Sequence, residues 1–163
     1  MPKHTRQTVR CDASDGSDTP CGPFSARLFS DSGGLTQFGA FEETLPPGAS
    51  SSIKHWHAVE DEMVYVIAGT VTVEEGAETY TLAPGEAATF KAGVPLAHRL
   101  VNASDAPATY LVIGTRSYGD TVTYPDHDRV LRFTREAGAA SVGERHYTTL
   151  DGAPANSPYT LET

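Results

Sequence analysis

From Phe24 to Gly114 the chain falls, at intervals of roughly ten residues, into short runs rich in Val, Thr, Tyr, Phe and Leu. The expected strands are SARLF, LTQFGAFEETL, SIKHW, DEMVYVIA, GTVTV, ETYTLA, EAATF, HRLVN and ATYLVIG. Between them stand SDSGG, LPPG, EEGA, LAPGE, KAGVP and NASDAP, whose Gly, Pro, Asn and Asp favour turns. No strong helical period competes with this rhythm. The class is therefore all-β, with many short antiparallel strands.

Such strands must cover their edges, which points to a sandwich or barrel; a jelly roll closes them without long exposed edges. The 163 residues suit a single domain with extended ends. Residues 1–22 are polar and rich in Asp, Ser, Thr, Gly and Pro, and are expected to form a loosely held arm. Residues 24–114 carry the barrel. Residues 115–163 show one short apolar stretch, VLRF, and are expected to be mostly loop wrapped around the barrel or a partner.

A formal net charge of −9 repels phosphate polymers and anionic lipid, which argues against nucleic-acid and membrane-surface roles and for a small-molecule partner. No apolar stretch reaches the roughly 20 residues needed to span a bilayer, and MPKHTRQTVR lacks the apolar core of a signal peptide. The expected location is the cytoplasm. There Cys11 and Cys21 are expected to be free thiols.

Chemistry concentrates in HWHAVEDE, residues 55–62. On a strand, His55 and His57 share one face while Trp56 points the other way. Glu62, Val64 and Val66 likewise share a face, so if the valines enter the core Glu62 is an inward carboxylate beside two imidazoles. Such a group needs a cation or hydrogen-bond donors to offset desolvation. Glu60 and Asp61 read instead as a solvated acidic turn. Further on, EAATF, the turn KAGVP and HRLVN are expected to form a hairpin that returns His98 to the interior, on one face with Leu100 and Asn102. Alternation turns Lys54 and Arg99 away from that face. Asp126, His127 and Asp128 read as surface residues, and Lys91 at the mouth is the one basic residue expected to meet substrate.

These residues resemble the two motifs of the cupin superfamily. Gly48, His55, His57, Glu62 and Gly69 match the first; Gly85, Gly93, His98 and Asn102 match the second. Two departures stand in the second motif: Lys91 replaces a proline, and four residues rather than two separate Gly93 from His98, with Pro95 inside the longer turn. The resemblance implies a double-stranded β-helix barrel and one divalent transition metal held by His55, His57, Glu62 and His98. Three imidazoles and a carboxylate suit Zn, Fe, Mn, Ni or Co.

The leading functional expectation, also from resemblance, is an isomerase of the mannose-6-phosphate type acting on a sugar phosphate, although no glycine-rich phosphate cradle or basic cluster is visible. A metal-dependent dioxygenase and a non-catalytic small-molecule binder are the alternatives. The catalytic proton carrier has no assigned residue. A homodimer is expected, on the ground that Phe24, Val130, Leu131 and Phe133 have little core of their own to join.

Overall fold

Every expected run except SIKHW forms a strand along most of its length. The computed structural model describes residues 3–136 and 139–160; residues 1–2, 137–138 and 161–163, within the expected arm and tail, lie outside the described residues. In chain order the elements are β1 Arg10–Ser14, β2 Phe24–Leu28, the short helix α1 Phe29–Ser32, β3 Phe38–Leu45, β4 Trp56–His57, β5 Glu62–Ala68 and β6 Val71–Glu75. There follow β7 Glu78–Leu82, β8 Ala87–Phe90, β9 His98–Val101, β10 Ala108–Thr115, β11 Gly119–Tyr124, a 3₁₀ turn Pro125–His127, β12 Arg129–Thr134 and β13 Arg145–Thr148.

One layer is a six-stranded antiparallel sheet in the order β1-β2-β3-β10-β5-β8. The other is built from β7-β6-β9 and β13-β12-β11-β4, joined by an antiparallel bridge between His55 and His98. The layers bury one shared core: Leu45, Val64, Val66, Val71, Val73, Leu100 and Tyr110 are each at most 1% exposed. Each aliphatic side chain buried this way contributes roughly 1.5–3 kcal/mol relative to exposure. In β5 the alternation is as expected, with Val64 and Val66 inside and Tyr65 and Ile67 exposed. This arrangement is the jelly roll, and it directs Glu62 inward on the same face as the valines.

Gly69 closes the β5 to β6 turn at φ +72°, where an added Cβ would lie 2.6 Å from the Pro107 carbonyl oxygen. Only glycine fits that approach. Among the described residues no helix is long and apolar enough to cross a membrane, and Cys11 and Cys21 are both free thiols.

Three expectations are corrected. Strands β8 and β9 do not form a hairpin: β8 pairs with β5 and β9 with β6. Both have inward faces, and residues 91–97 cross between layers that pack roughly 10 Å apart. The N-terminal arm is not loose, because β1 pairs with β2 along its whole length, and Val9 and Cys21 are buried. An open edge on β2 recruits it, which polarity alone does not reveal.

The tail is not mostly loop either. Strands β11, β12 and β13 form a sheet with β4 and enclose a second core of Cys21, Ile53, Val122, Tyr124, Leu131 and Phe133. Val130 is also buried, and Phe24 packs on the barrel core. Runs such as DTVTY and RVLRF alternate apolar with polar residues, so their low average hydropathy hid half-buried strands. The premise of the dimer argument therefore fails: these side chains join cores of their own chain.

Candidate functional site

His55, Glu62 and His98 each offer one donor atom within 4.8 Å of the others'. The backbone explains the convergence: His55 and His98 exchange a pair of hydrogen bonds, N to O, of 3.1 and 2.8 Å. Their rings consequently face one space, with centroids 5.0 Å apart. The His98 ring lies flat on Phe90, 3.6 Å between centroids and 3° between planes. It is 3% exposed, and among the described residues neither ring nitrogen has a hydrogen-bond partner. The Glu62 Oε1 stands 3.9 Å from His98 Nε2. A buried imidazole with two unsatisfied nitrogens costs free energy unless something occupies the space before it.

His57 flanks this group, its ring 5.1 Å from that of His55 and edge-on to it. Its Nδ1 is 2.7 Å from Asp120 Oδ2. A carboxylate only accepts, so Nδ1 carries a proton and, in the neutral ring, Nε2 keeps its lone pair. The same logic fixes His55, whose Nδ1 lies 3.0 Å from the Ile53 carbonyl. Gly93, at φ +76°, donates its N–H to the His57 carbonyl at 2.8 Å, which ties the crossover loop to the strand bearing His57.

Burial pushes the His55 imidazole down to about 4, helped by its neighbour His57 and opposed by the Ile53 carbonyl. Burial and the nearby His55 and His57 push His98 down to about 3. Both are neutral at pH 7 with lone pairs available, the form a metal requires. Burial raises the Glu62 carboxyl, with His57 opposing. For His57, burial works downward but is outweighed by the hydrogen bond to Asp120 and the charges of Glu62, Asp120 and Glu60, so its pKa rises.

A second cluster, His57, Glu60 and Asp120, also satisfies the distance condition. Its carboxylates are already engaged. Glu60 pairs with Arg135 and accepts from the Ser117 N–H at 2.7 Å. Asp120 Oδ1 accepts from the Val59 and Thr121 N–H groups at 2.9 and 2.7 Å. The group that lacks counter-charge is His55, Glu62 and His98, with His57 beside it. The expectation that Glu60 is a solvated turn residue is thereby corrected: it is 7% exposed and bound by the tail.

Asn102 is fully buried, donating to the Leu45 and Ala106 carbonyls at 2.8 Å each, and so holds loops rather than ligand. Lys91 is exposed at the rim of a pocket of about 190 Å³ that His57, Glu62, Phe90, Val94, Leu96 and His98 also line. Lys54 and Arg99 turn away as expected, onto Glu74, and Arg116 is taken by Asp31 at 2.5 Å. Asp126, His127 and Asp128 are exposed. Missed from sequence were Asp120, Arg135 and the inward acid Glu43, which hydrogen-bonds Tyr110. For Glu43 a signal existed: in FEETL, Phe41, Glu43 and Leu45 share one face.

A family model described as "Cupin domain" matches residues 41–114. Comparison with curated proteins gave no match. Among solved structures, a sugar phosphate isomerase from a cupin superfamily of Silicibacter pomeroyi is 32% identical with a TM-score of 0.81, over 98% of this chain and 100% of that one. A protein of Acidithiobacillus ferrooxidans, described provisionally as a sugar phosphate isomerase, is 25% identical with a TM-score of 0.77, over 93% of this chain and 92% of its own. A polyketide cyclase of Streptomyces resistomycificus shares the fold at 20% identity and a TM-score of 0.58, over 72% of this chain and 80% of that one. Cupin domains commonly bind a metal, and this one carries a His and Glu cluster of the kind that could hold it. With a jelly-roll fold and 32% identity to a cupin over nearly its whole length, the chain belongs to the cupin superfamily.

Proposed function

We propose that this chain is a metal-dependent cupin enzyme acting on a small oxygenated metabolite, and that the reaction is a sugar-phosphate isomerisation of the mannose-6-phosphate type. The observation that carries the metal is the orphaned Nε2 of buried His98, which shares one space with Glu62 Oε1 at 3.9 Å and with His55. His55, His57, Glu62 and His98 would hold the ion, chosen from Zn, Fe, Mn, Ni or Co by this N/O donor set. When bound, it supplies stabilisation of negative charge on a substrate oxygen.

The chain's own residues do the rest. Asp120 and the Ile53 carbonyl hold His57 and His55 in the tautomer whose Nε2 is free. Phe90, Val94 and Leu96 give the pocket an apolar wall. Lys91 meets the phosphate at the rim. The isomerase reading is supported by the likeness to the Silicibacter protein. A second reading, a metal-dependent dioxygenase working on a substrate without phosphate, is favoured by one observation: among the described residues Lys91 is the only Lys or Arg lining the pocket, against Glu60, Glu62 and Glu75.

The whole chain, not residues 24–114 alone, is proposed as the folding unit, because the tail supplies Asp120 to His57 and Arg135 to Glu60. The test is activity of the purified, metal-analysed protein on a panel of aldose and ketose phosphates. Interconversion abolished by chelator supports the isomerase. Silence there, with oxygen uptake on a diketone or catechol, replaces it by the dioxygenase.

A further inference from the structure

An aldose–ketose interconversion moves a proton between neighbouring carbons, and the candidate metal ligands leave that task unassigned. The carrier must stand in the pocket that takes the substrate and must be free to accept a proton. The titratable side chains lining that pocket are His57, Glu60, Glu62, Glu75, Lys91 and His98. His57, Glu62 and His98 are candidate ligands. Glu60 is held by Arg135 and by the Ser117 N–H and hydroxyl, and Lys91, a cation, is assigned to the phosphate. Glu75 is what remains.

The strand explains both its position and its freedom. Along β6, Val71, Val73 and Glu75 share one face, and the two valines lie in the barrel core. Glu74 takes the outward face and with it both nearby cations, Arg99 at 2.9 Å and Lys54 at 3.9 Å. Glu75 is paired directly with His98 across the β6 to β9 ladder, where Cβ atoms stand roughly 4.5–5.5 Å apart. Its carboxyl is therefore on the pocket side of a candidate ligand's own wall. The backbone beside it is fixed, since Gly76 donates its N–H to the Ala97 carbonyl at 2.8 Å and its carbonyl accepts from Lys54 Nζ at 2.9 Å. Among the described residues the one hydrogen-bond partner of the Glu75 carboxyl is the Tyr80 hydroxyl, which donates to Oε2 at 3.1 Å. Burial and the Glu75 charge push that hydroxyl up to about 12, so Tyr80 keeps the proton it donates. Oε1 is left to accept another, in a side chain that is only half-buried.

We propose that Glu75 is the proton-transfer residue of this pocket and that Tyr80 is the residue that positions it. The proposal rests on the isomerase reading. In the step it describes, the Glu75 carboxylate takes the proton from C2 of the open-chain aldose. The C–H electron pair forms the C1–C2 double bond, and the carbonyl electrons move onto the C1 oxygen. Glu75 then returns its proton to C1 as the C2 hydroxyl proton passes to the C1 oxygen and the C2 carbonyl forms. One hydrogen has moved from carbon to carbon, one from oxygen to oxygen, and Glu75 ends as it began. Because Glu75 is open to solvent, the proton it holds between the two transfers exchanges, and product formed in D₂O carries deuterium at C1.

The experiment follows mannose 6-phosphate and a panel of other aldose and ketose phosphates in D₂O by NMR, with wild type, Glu75→Gln and Tyr80→Phe. Metal content is measured by elemental analysis, and binding of the sugar phosphate by calorimetry. Glu75→Gln should lose about 100-fold or more in kcat and in deuterium uptake, with metal content unchanged and the sugar phosphate bound no more weakly. Tyr80→Phe keeps the carboxylate and should lose about tenfold in kcat with KM unmoved, a split that a purely structural role would not give; unchanged kcat overturns the role of Tyr80. A folded, metal-loaded Glu75→Gln that keeps more than about a tenth of wild-type kcat, or a wild-type product without deuterium, overturns the role of Glu75 and leaves the isomerase standing. Wild type that converts none of the panel overturns both. If Glu75→Gln does not fold, Glu75→Asp decides the matter: unchanged kcat overturns the proposal, and a drop of about tenfold with metal and KM retained supports it.

Discussion

Replacing Asp120 by Asn isolates a single hydrogen-bonding decision. Asp120 has a side chain with no exposed surface. Its Oδ1 is occupied by the Val59 and Thr121 N–H groups at 2.9 and 2.7 Å, and its Oδ2 faces His57 Nδ1 at 2.7 Å. Asn keeps the first oxygen, so both backbone bonds and the local fold should survive. In place of Oδ2 it presents an N–H donor. His57 Nδ1 must then accept, the ring proton moves to Nε2, and the lone pair proposed to face the metal is lost. Outer partners of metal-bound histidines are worth about 10–100-fold in affinity, or roughly 1.4–2.7 kcal/mol. Calorimetric titration of chelator-stripped protein with Zn²⁺ or Co²⁺ measures the affinity, and ¹⁵N NMR of the imidazoles reads the tautomer. A dissociation constant within twofold of wild type, or a His57 that still carries its proton on Nδ1, would refute the reasoning.

The purified protein should carry about one transition metal per chain by elemental analysis, and His57→Ala should carry clearly less. Glu60→Gln should keep its metal yet lose about 3 kcal/mol by denaturant unfolding, because it strands Arg135, whose side chain is only 11% exposed. In chelated protein, Glu43 is raised from 4.5 to about 7, so its contribution is full below pH 4.5 and is lost as pH rises towards 7. His55 and His98, lowered from 6.5 to about 4 and about 3, act oppositely, stabilising above pH 6.5 and losing that as pH falls towards 4 and 3. They are common to wild type and Glu43→Gln, so the difference between the two unfolding curves should show wild type losing up to about 3 kcal/mol relative to the variant across pH 4.5–7; a flat difference would remove the raised acid. Light scattering should give a homodimer, twice 17.3 kDa. Since the tail is now occupied, exposed Tyr65 and Ile67 on the outer face of β5 are the better contact, and Ile67→Lys should yield a monomer.

The barrel strands and the grouping of His55, Glu62 and His98 were legible because each depends on local rules. Period-two alternation put Val64, Val66 and Glu62 on one face, and the spaced glycines and histidines between residues 48 and 102 carried the resemblance. What stayed hidden depends on pairing across long separations. The Asp120 that fixes the His57 tautomer is 63 residues away, the Arg135 on Glu60 is 75 away, and the Tyr110 on Glu43 is 67 away. No window of alternating residues contains both members of such a pair.

The same limit explains why Glu60 misled. Glu60 and Asp61 read as an acidic turn, and a local rule sends such a turn to solvent. Each in fact has a different fate: Asp61 accepts from the Ala92 N–H at 2.8 Å, Glu60 is sealed beneath Arg135, and Glu62 enters the barrel. Glu62 lies on an alternating strand and Asp61 stays exposed, both as expected; Glu60 alone departs. The tail supplies Asp120 to His57 and Arg135 to Glu60, and residues 41–114, the span of the domain match, contain neither. A barrel trimmed to those residues would keep all four candidate ligands and lose the carboxylate that sets the tautomer of one of them.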